Sequence, residues 1–269
     1  MPENDTANAE LWRQMLLGEL PGLRRWKRLM GAIPSTPRCK LCLAPFGRPG
    51  SVLIRLIGNK PSSLNRRICT ACIKHLHKDP GGAEIDVTAL FVDVRGSTGM
   101  AERTSPGEFG QLLARFYGTV ARVVDEWDGI VDKFVGDEAV ALFIPGFAGS
   151  DHPAKAVAAA RELMSETGHD DGEPWIPLGA GIHTGTSFVG TVGEGDAVDF
   201  TAVGDTVNTA ARLMAGAGTG EIVISAATAA AAGIDTTGLE HRTLEVRGRQ
   251  QPVDAWVDAT SRASEPASV

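Results

Sequence analysis

The chain has 269 residues, room for one large domain or two modest ones. Its composition, 43% apolar and 22% charged, excludes wholesale disorder, collagen-like repeats and coiled-coil fibres. The net charge of -7 hides a division, because residues 1–85 carry 14 Lys and Arg against 6 Asp and Glu, whereas residues 86–269 carry 12 against 27. A basic part therefore precedes an acidic one. No run approaches the roughly 18 consecutive apolar residues of a membrane span, and the first residues lack the cationic start and apolar core of a secretion signal. A cytoplasmic protein without membrane contact is expected.

Residues 1–8 and 260–269 are polar or small and read as loose ends. From Glu10 to Met30 the spacing of Leu11, Met15, Leu16, Leu20, Leu23, Trp26 and Leu29 predicts one or two short helices interrupted at Pro21. Their basic face (Arg13, Arg24, Arg25, Lys27, Arg28) reads as a solvated side, with a membrane surface or nucleic acid as the other possibilities. Beyond Pro80-Gly81-Gly82 a buried strand is expected over Asp86–Val94. A helix opened by Ser105-Pro106 should run to about Trp127. Gly129–Val135 and Glu138–Ile144 flank a Gly136-Asp137 turn and read as a hairpin. A helix over Asp151–Met164 and two strands near Ile176–His183 and Thr186–Val192 come next, with His183 before a turn. A strand near Val198–Val203, a helix over Thr206–Ala215, a short helix over Ala226–Ala232, and strands near Glu221–Ser225, His241–Val246 and Val253–Val257 complete the order. The pattern βαββαβ with appended strands predicts an α+β fold, an antiparallel-rich sheet with helices on one face. The expected divisions are a helical segment over 1–38, a cysteine module over 39–82, an acidic α+β domain over 83–259 and a tail over 260–269.

All four cysteines fall in two Cys-x-x-Cys pairs, Cys39/Cys42 and Cys69/Cys72. Each pair can offer two thiolates from a tight turn, the second at the start of a helix, as in a treble-clef-like or ribbon zinc site. Zn²⁺ is expected, an iron–sulfur cluster is the alternative, and a metal-free or redox-active arrangement is the remaining one. His75 and His77 are spare candidate ligands, more simply read as part of an exposed helix face.

The acidic part holds a different pattern. Asp93 ends a run that otherwise reads as buried, so its carboxylate needs a cation or donors. Gly96, Ser97 and Thr98 follow in a small-residue turn whose N–H groups and hydroxyls suit phosphate oxygens. Asp137 sits at the hairpin tip, and a hairpin paired beside the Asp93 strand would bring the two carboxylates together. Paired carboxylates on divalent ions suit in-line attack at phosphorus.

The runs Phe91-Val-Asp93-Val-Arg-Gly-Ser-Thr98, Lys133-Phe-Val-Gly-Asp137 and Thr201-Ala-Val-Gly-Asp205-Thr-Val-Asn208-Thr-Ala-Ala-Arg212-Leu resemble the catalytic domain of class III nucleotidyl cyclases over roughly residues 86–258. The resemblance implies a phosphorus–oxygen lyase with a ferredoxin-like catalytic core. It assigns Asp93, Asp137 and the Val94 carbonyl to two Mg²⁺ or Mn²⁺ ions. Lys133 and Thr201 take the base-reading positions, a pair that resembles the bacterial threonine-using subclass of adenylate cyclases. Asn208 and Arg212 orient the ribose and stabilise the transition state, and Arg247 holds the terminal phosphates. The loop Gly193–Asp199 lacks a basic residue that many relatives carry, with Arg95 or Arg249 as stand-ins. The implied substrate is ATP, converted to 3′,5′-cyclic AMP and pyrophosphate. The implied assembly is a homodimer, because the family draws the metal aspartates and the remaining residues of one site from different subunits. Nothing here favours nucleic acid as a partner. The alternatives are a cyclase for another base, yielding cGMP, cUMP or cCMP, and a retired cyclase fold serving as a regulatory binding module.

Overall fold

A computed structural model describes residues 2–56, 58–62, 67–78, 80–193, 199–245 and 252–259. The described residues fall into two compact units. One comprises residues 1–85, 144–149 and 187–203; the other comprises 86–143, 150–186 and 204–269.

In the first unit, α1 (Pro2–Leu16) and α2 (Pro21–Gly31) are separated at Pro21, as the spacing predicts. The start differs from expectation, because residues 2–8 belong to α1 rather than to a loose end. That helix is anchored. Trp12 and Leu16 are buried, Asn8 Nδ2 donates to the Pro80 carbonyl at 3.0 Å, and the Trp12 ring lies 6.3 Å from Phe200 at an interplanar angle of 20°. Helices α3 (Gly50–Leu56) and α4 (Thr70–Lys78) follow. The expected tail over 260–269 lies outside the described residues.

Strand β1 (Gly82–Val94) begins four residues earlier than predicted. Gly82 fits because an added Cβ would lie 2.4 Å from the Phe188 ring and 2.6 Å from the Val189 carbonyl, so here glycine permits strand packing instead of breaking the chain. After α5 (Ser97–Arg103), Ser105 opens α6 (Pro106–Glu126) with a capping box shared with Glu108. Phe116, Val120, Val123 and Val124 recur at helical spacing and form its buried face. β2 (Ile130–Val135) and β3 (Glu138–Phe143) form the predicted hairpin. Beyond α7 (Pro145–Ala148), α8 (His152–Glu166) buries a run of alanines that lets it approach its neighbours closely.

Two predicted strands are one, β4 (Leu178–Val192), so His183 precedes no turn. It is buried, and its Nδ1 lies 2.8 Å from Ser225 Oγ. β5 (Asp199–Val203) pairs with the second half of β4. The chain continues through α9 (Asp205–Ala215), β6 (Glu221–Ser225), α10 (Ala226–Ala232), β7 (Glu240–Leu244) and β8 (Val253–Ala259). The strand order is β2-β3-β1-β4-β6-β8-β7. Its first four members have the ferredoxin-like arrangement of a βαββαβ unit, and β1 pairs antiparallel with β3 while β4 runs parallel to β6.

The prediction that all helices share one face needs correction. On β4, Thr184 faces α10 and its strand neighbour Thr88 faces α8: Thr184 bonds Thr88 at 2.8 Å and Thr228 at 3.0 Å, and Thr88 bonds His152 of α8. Odd residues point the other way, and there α9 packs. A Cβ at Gly181 would stand 2.1 Å from the Met214 nitrogen and 2.5 Å from the Ala210 carbonyl, and one at Gly185 would stand 2.9 Å from Thr206 Oγ1. Gly185, which falls in the predicted break, and Gly181, inside the predicted strand, are where α9 sits on β4. Leu213 closes this side against Val223, Ala255 and Val257.

His169 illustrates a buried ring held neutral. Its Nε2 accepts from the Leu178 amide at 3.0 Å, so the proton sits on Nδ1, which faces Thr167 Oγ1 at 2.9 Å and the Met164 carbonyl at 3.2 Å. Burial holds His169 and His152 below the usual histidine range. The unfolded chain therefore takes up these protons first on acidification. The resulting stability is complete above about pH 6.5 and is lost as pH falls through the lowered folded-state values. Thermal midpoints measured between about pH 7.5 and 5 are expected to fall, and His169→Gln should be less stable with a flatter pH profile. An unchanged slope in that variant would remove His169 from the account.

Candidate functional site

The pairing of β1 with β3 sets Asp93 opposite Glu138, and the Val94 amide donates to the Asp137 carbonyl at 3.3 Å. Asp93, Val94 and Asp137 therefore meet where β1 ends beside the β2–β3 turn, as the hairpin argument predicts. Gly136 makes that turn with φ +61°. The Tyr117 hydroxyl donates to the Gly136 carbonyl, and the Tyr117 ring stacks on Phe134 with centroids 4.2 Å apart. Helix α6 thus braces the hairpin tip.

Glu138 is a third carboxylate in this cluster that the motif reading passed over, although its place beside Asp137 and opposite Asp93 follows once the hairpin is drawn. Burial raises the Asp93 carboxyl above its ordinary range, Arg95 opposes that shift, and Asp137 adds to it. Glu138 is also raised, first by burial and then by Asp93 and Asp137. Asp93 and Glu138 thus share the field of the Arg95 guanidinium, whose Nη2 is 3.0 Å from Asp93 Oδ2. Hard oxygen donors with surplus negative charge fit Mg²⁺ or Mn²⁺.

Gly96, in the left-handed region at φ +70°, leads into Ser97 and Thr98 at the start of α5. Lys133 lies on β2 with its Nζ 3.2 Å from Asp132 Oδ2. Asn208 and Arg212 are exposed one turn apart on α9, and among the described residues neither side chain has a hydrogen-bond or ion-pair partner within the chain. In the first unit, Thr201 is buried on β5 opposite Gly190. Arg247 and Arg249 lie outside the described residues, as does most of the Gly193–Asp199 loop.

The cysteines form a second site, within the first unit. All four Sγ atoms lie within 4.8 Å of one another, with Cys39 and Cys72 3.9 Å apart and Cys42 and Cys69 3.7 Å apart. The first pair sits in a knuckle: the Cys39 amide donates to the Ala44 carbonyl, the Leu43 amide donates to the Cys39 carbonyl, and Leu43 is left-handed at φ +58°. The second pair flanks the start of α4, where Asn59 Oδ1 accepts from the Ala71 amide and from Thr70 Oγ1. The amides of Cys69 and Cys72 donate to the Cys39 and Cys69 sulfurs at 3.3 and 3.4 Å, as donors around thiolate ligands do. Lys27 lies in the field of Cys39, Cys42 and Cys72 and donates to the Gly146 carbonyl at 2.8 Å, although burial pulls its pKa down. The side chains of His75 and His77 lie outside the described residues.

This fold, with two strand-end aspartates beside a hairpin turn, defines a nucleotide cyclase domain. The profile of the Adenylate and Guanylate cyclase catalytic domain matches residues 83–258, and the chain belongs to that family. The match leaves the cysteine module outside it. The chain is 34% identical over 134 residues to an adenylate cyclase of Anabaena cylindrica, covering 47% of this chain and 26% of that protein. It is 35% identical over 134 residues to adenylate cyclase 1 of Rhizobium meliloti, covering 48% and 20%. The chain therefore corresponds to a minor part of either relative. Among solved structures it is similar to the guanylyl cyclase Cya2, with 30% identity, a TM-score of 0.60, and coverage of 69% of this chain and 98% of that one. The adenylyl cyclase CyaB from P. aeruginosa gives 26% identity, a TM-score of 0.58, and coverage of 68% and 98%. Among the described residues no helix is long and apolar enough to cross a membrane.

Proposed function

We propose that this chain is an adenylate cyclase that converts ATP to 3′,5′-cyclic AMP and pyrophosphate. The observation that carries this reading is the meeting of Asp93, Val94 and Asp137 at one strand end. These groups would hold two Mg²⁺ or Mn²⁺ ions, which supply charge screening at the α-phosphate and a more acidic ribose 3′-hydroxyl. Arg212 donates its planar fork to the charge that develops on the phosphate, and Asn208, one turn away, orients the ribose. Gly96, Ser97, Thr98 and Arg247 serve the phosphates. Lys133 and Thr201 read the adenine edge.

The exposure of Asn208 and Arg212, with no partner inside the chain among the described residues, supports a homodimer in which these side chains serve a site completed by the second copy. The names of the Anabaena and Rhizobium relatives favour ATP, whereas Cya2 favours GTP; the Lys133/Thr201 pair inclines the reading to ATP. Incubation with each of the four nucleoside triphosphates and Mg²⁺ or Mn²⁺ should give cyclic AMP as the main product. Another cyclic nucleotide would overturn the base assignment, and no product from any of them would favour the retired-fold reading. Lys133→Glu combined with Thr201→Cys should move the product ratio toward cyclic GMP by about 10-fold or more.

The cysteine module is read as a structural Zn²⁺ site. A tetrahedral ion with four thiolates at about 2.3 Å separates the sulfurs by about 3.8 Å, close to the 3.7 and 3.9 Å found here. An iron–sulfur cluster with several irons holds its thiolates farther apart. The module's role is support. Within its own unit, Trp12 meets Phe200, the neighbour of Thr201, and Gly81 exchanges hydrogen bonds with Thr191.

A further inference from the structure

We infer that Arg95 is a positioning residue for the Asp93 carboxylate, tying it to the C-terminal end of the helix that carries Asn208 and Arg212. The inference rests on the proposed reading of Asp93 as a metal ligand. One guanidinium nitrogen, Nη2, lies 3.0 Å from Asp93 Oδ2 and donates to the Met214 carbonyl at 3.1 Å, with the Met214 sulfur also in reach. The backbone of Arg95 is fixed as well, its amide donating to the Pro177 carbonyl at 2.8 Å.

The slot for this side chain is built into β4. A Cβ at Gly179 would stand 2.6 Å from Arg95 Nε and 3.1 Å from Cζ, so only glycine leaves room for the guanidinium. Nε is buried and, among the described residues, has no hydrogen-bond partner. A donor left unmade in the interior lowers stability, so stability alone does not account for this placement. The arrangement does immobilise one oxygen of Asp93 while leaving the other for a cation. Outer partners of this kind set the orientation of a ligating carboxylate, and their removal costs about 10–100-fold in metal affinity or activity. A lysine carries a strongly hydrated point charge on a flexible stem, without the planar group that fills the Gly179 slot, and so holds Asp93 and Met214 less rigidly.

Electron paramagnetic resonance titration of Mn²⁺ tests this directly, with Asp93→Asn as the baseline and thermal melts to establish folding. Arg95→Ala and Arg95→Lys are each expected to weaken Mn²⁺ binding about 10-fold or more. Turnover should fall while the KM for ATP stays near that of the wild type. Gly179→Ala, which displaces the guanidinium without removing it, should act in the same direction. Should Arg95→Ala fail to fold, Arg95→Lys and Gly179→Ala decide the matter. Wild-type affinity in a folded Arg95 variant overturns the inference while leaving the cyclase reading intact. Tighter Mn²⁺ binding overturns it too, because Arg95 would then be a competitor of the cation. A wild-type protein that binds no Mn²⁺ beyond the Asp93→Asn baseline overturns both.

Discussion

Asp137→Asn is expected to lower cyclase turnover by about 10³-fold or more while leaving the thermal midpoint unchanged or raised. The metal ions of such a site supply several kcal/mol of transition-state stabilisation, and each 1.36 kcal/mol is about tenfold in rate. The fold loses nothing comparable, because Asp137 adds to the repulsion that lifts the carboxyl groups of Asp93 and Glu138 above their ordinary range. Removing that charge relieves the cluster. Loss of activity combined with preserved stability separates a functional carboxylate from a turn residue, since a capping aspartate would show the reverse. Initial rates with Mn²⁺ and a melting curve on the same preparation make the comparison. More than a tenth of wild-type turnover in Asp137→Asn would sink the metal assignment. By the same logic Arg212→Ala should cost about 10²–10³-fold, without disturbing a core it does not enter.

The second large effect is expected at the cysteines. Cys69→Ser should abolish stoichiometric metal binding and unfold the segment around residues 39–78. Structural Zn²⁺ contributes on the order of 10 kcal/mol to the folding of small metal modules, and among its described residues this module buries few large apolar side chains. Among its large apolar residues Val52 and Leu56 are exposed, while Leu41, Ile54 and Ile68 form a small interior. Four sulfurs within 4.8 Å of one another cannot all carry negative charge without a cation. Elemental analysis should find one Zn²⁺ per chain in the wild type and none in the variant, and hydrogen exchange should show lost protection in α4 and α1. Protection of β5 should weaken with them, because Trp12 packs on Phe200. Visible absorbance that bleaches with a reductant would replace Zn²⁺ by an iron–sulfur cluster.

Much of the carboxylate cluster is legible in the chain because its parts are local. The Gly136-Asp137 turn between two apolar runs specifies a hairpin, and the buried run before Asp93 specifies its neighbour; pairing the two places the carboxylates together. The capping box at Ser105 and Glu108 is likewise a matter of three residues. The cysteine knuckle and the helix-borne pair follow from spacing and from the chemistry of thiolates. Errors cluster at glycine. Gly82 and the Thr184-Gly185-Thr186 stretch look like breaks, since a glycine without tertiary context favours a turn. Here each occupies a point where another element's atoms come within 3 Å of a would-be Cβ, and that requirement is invisible until packing partners exist.

The sequence by itself therefore determined the class of fold, the two cysteine pairs and the placing of Asp93 beside the Gly136-Asp137 turn, since turn chemistry, apolar spacing and donor type act over a few residues. Only the tertiary structure decided which face of the sheet receives α9, that β4 runs unbroken, and that Arg95 holds Asp93 and Met214 together. Those outcomes depend on close packing between segments that are not neighbours in the chain, from Gly185 against Thr206 in α9 to Arg95 and Met214, separated by 119 residues. Whether a glycine turns the chain or admits a helix is settled by what packs against it.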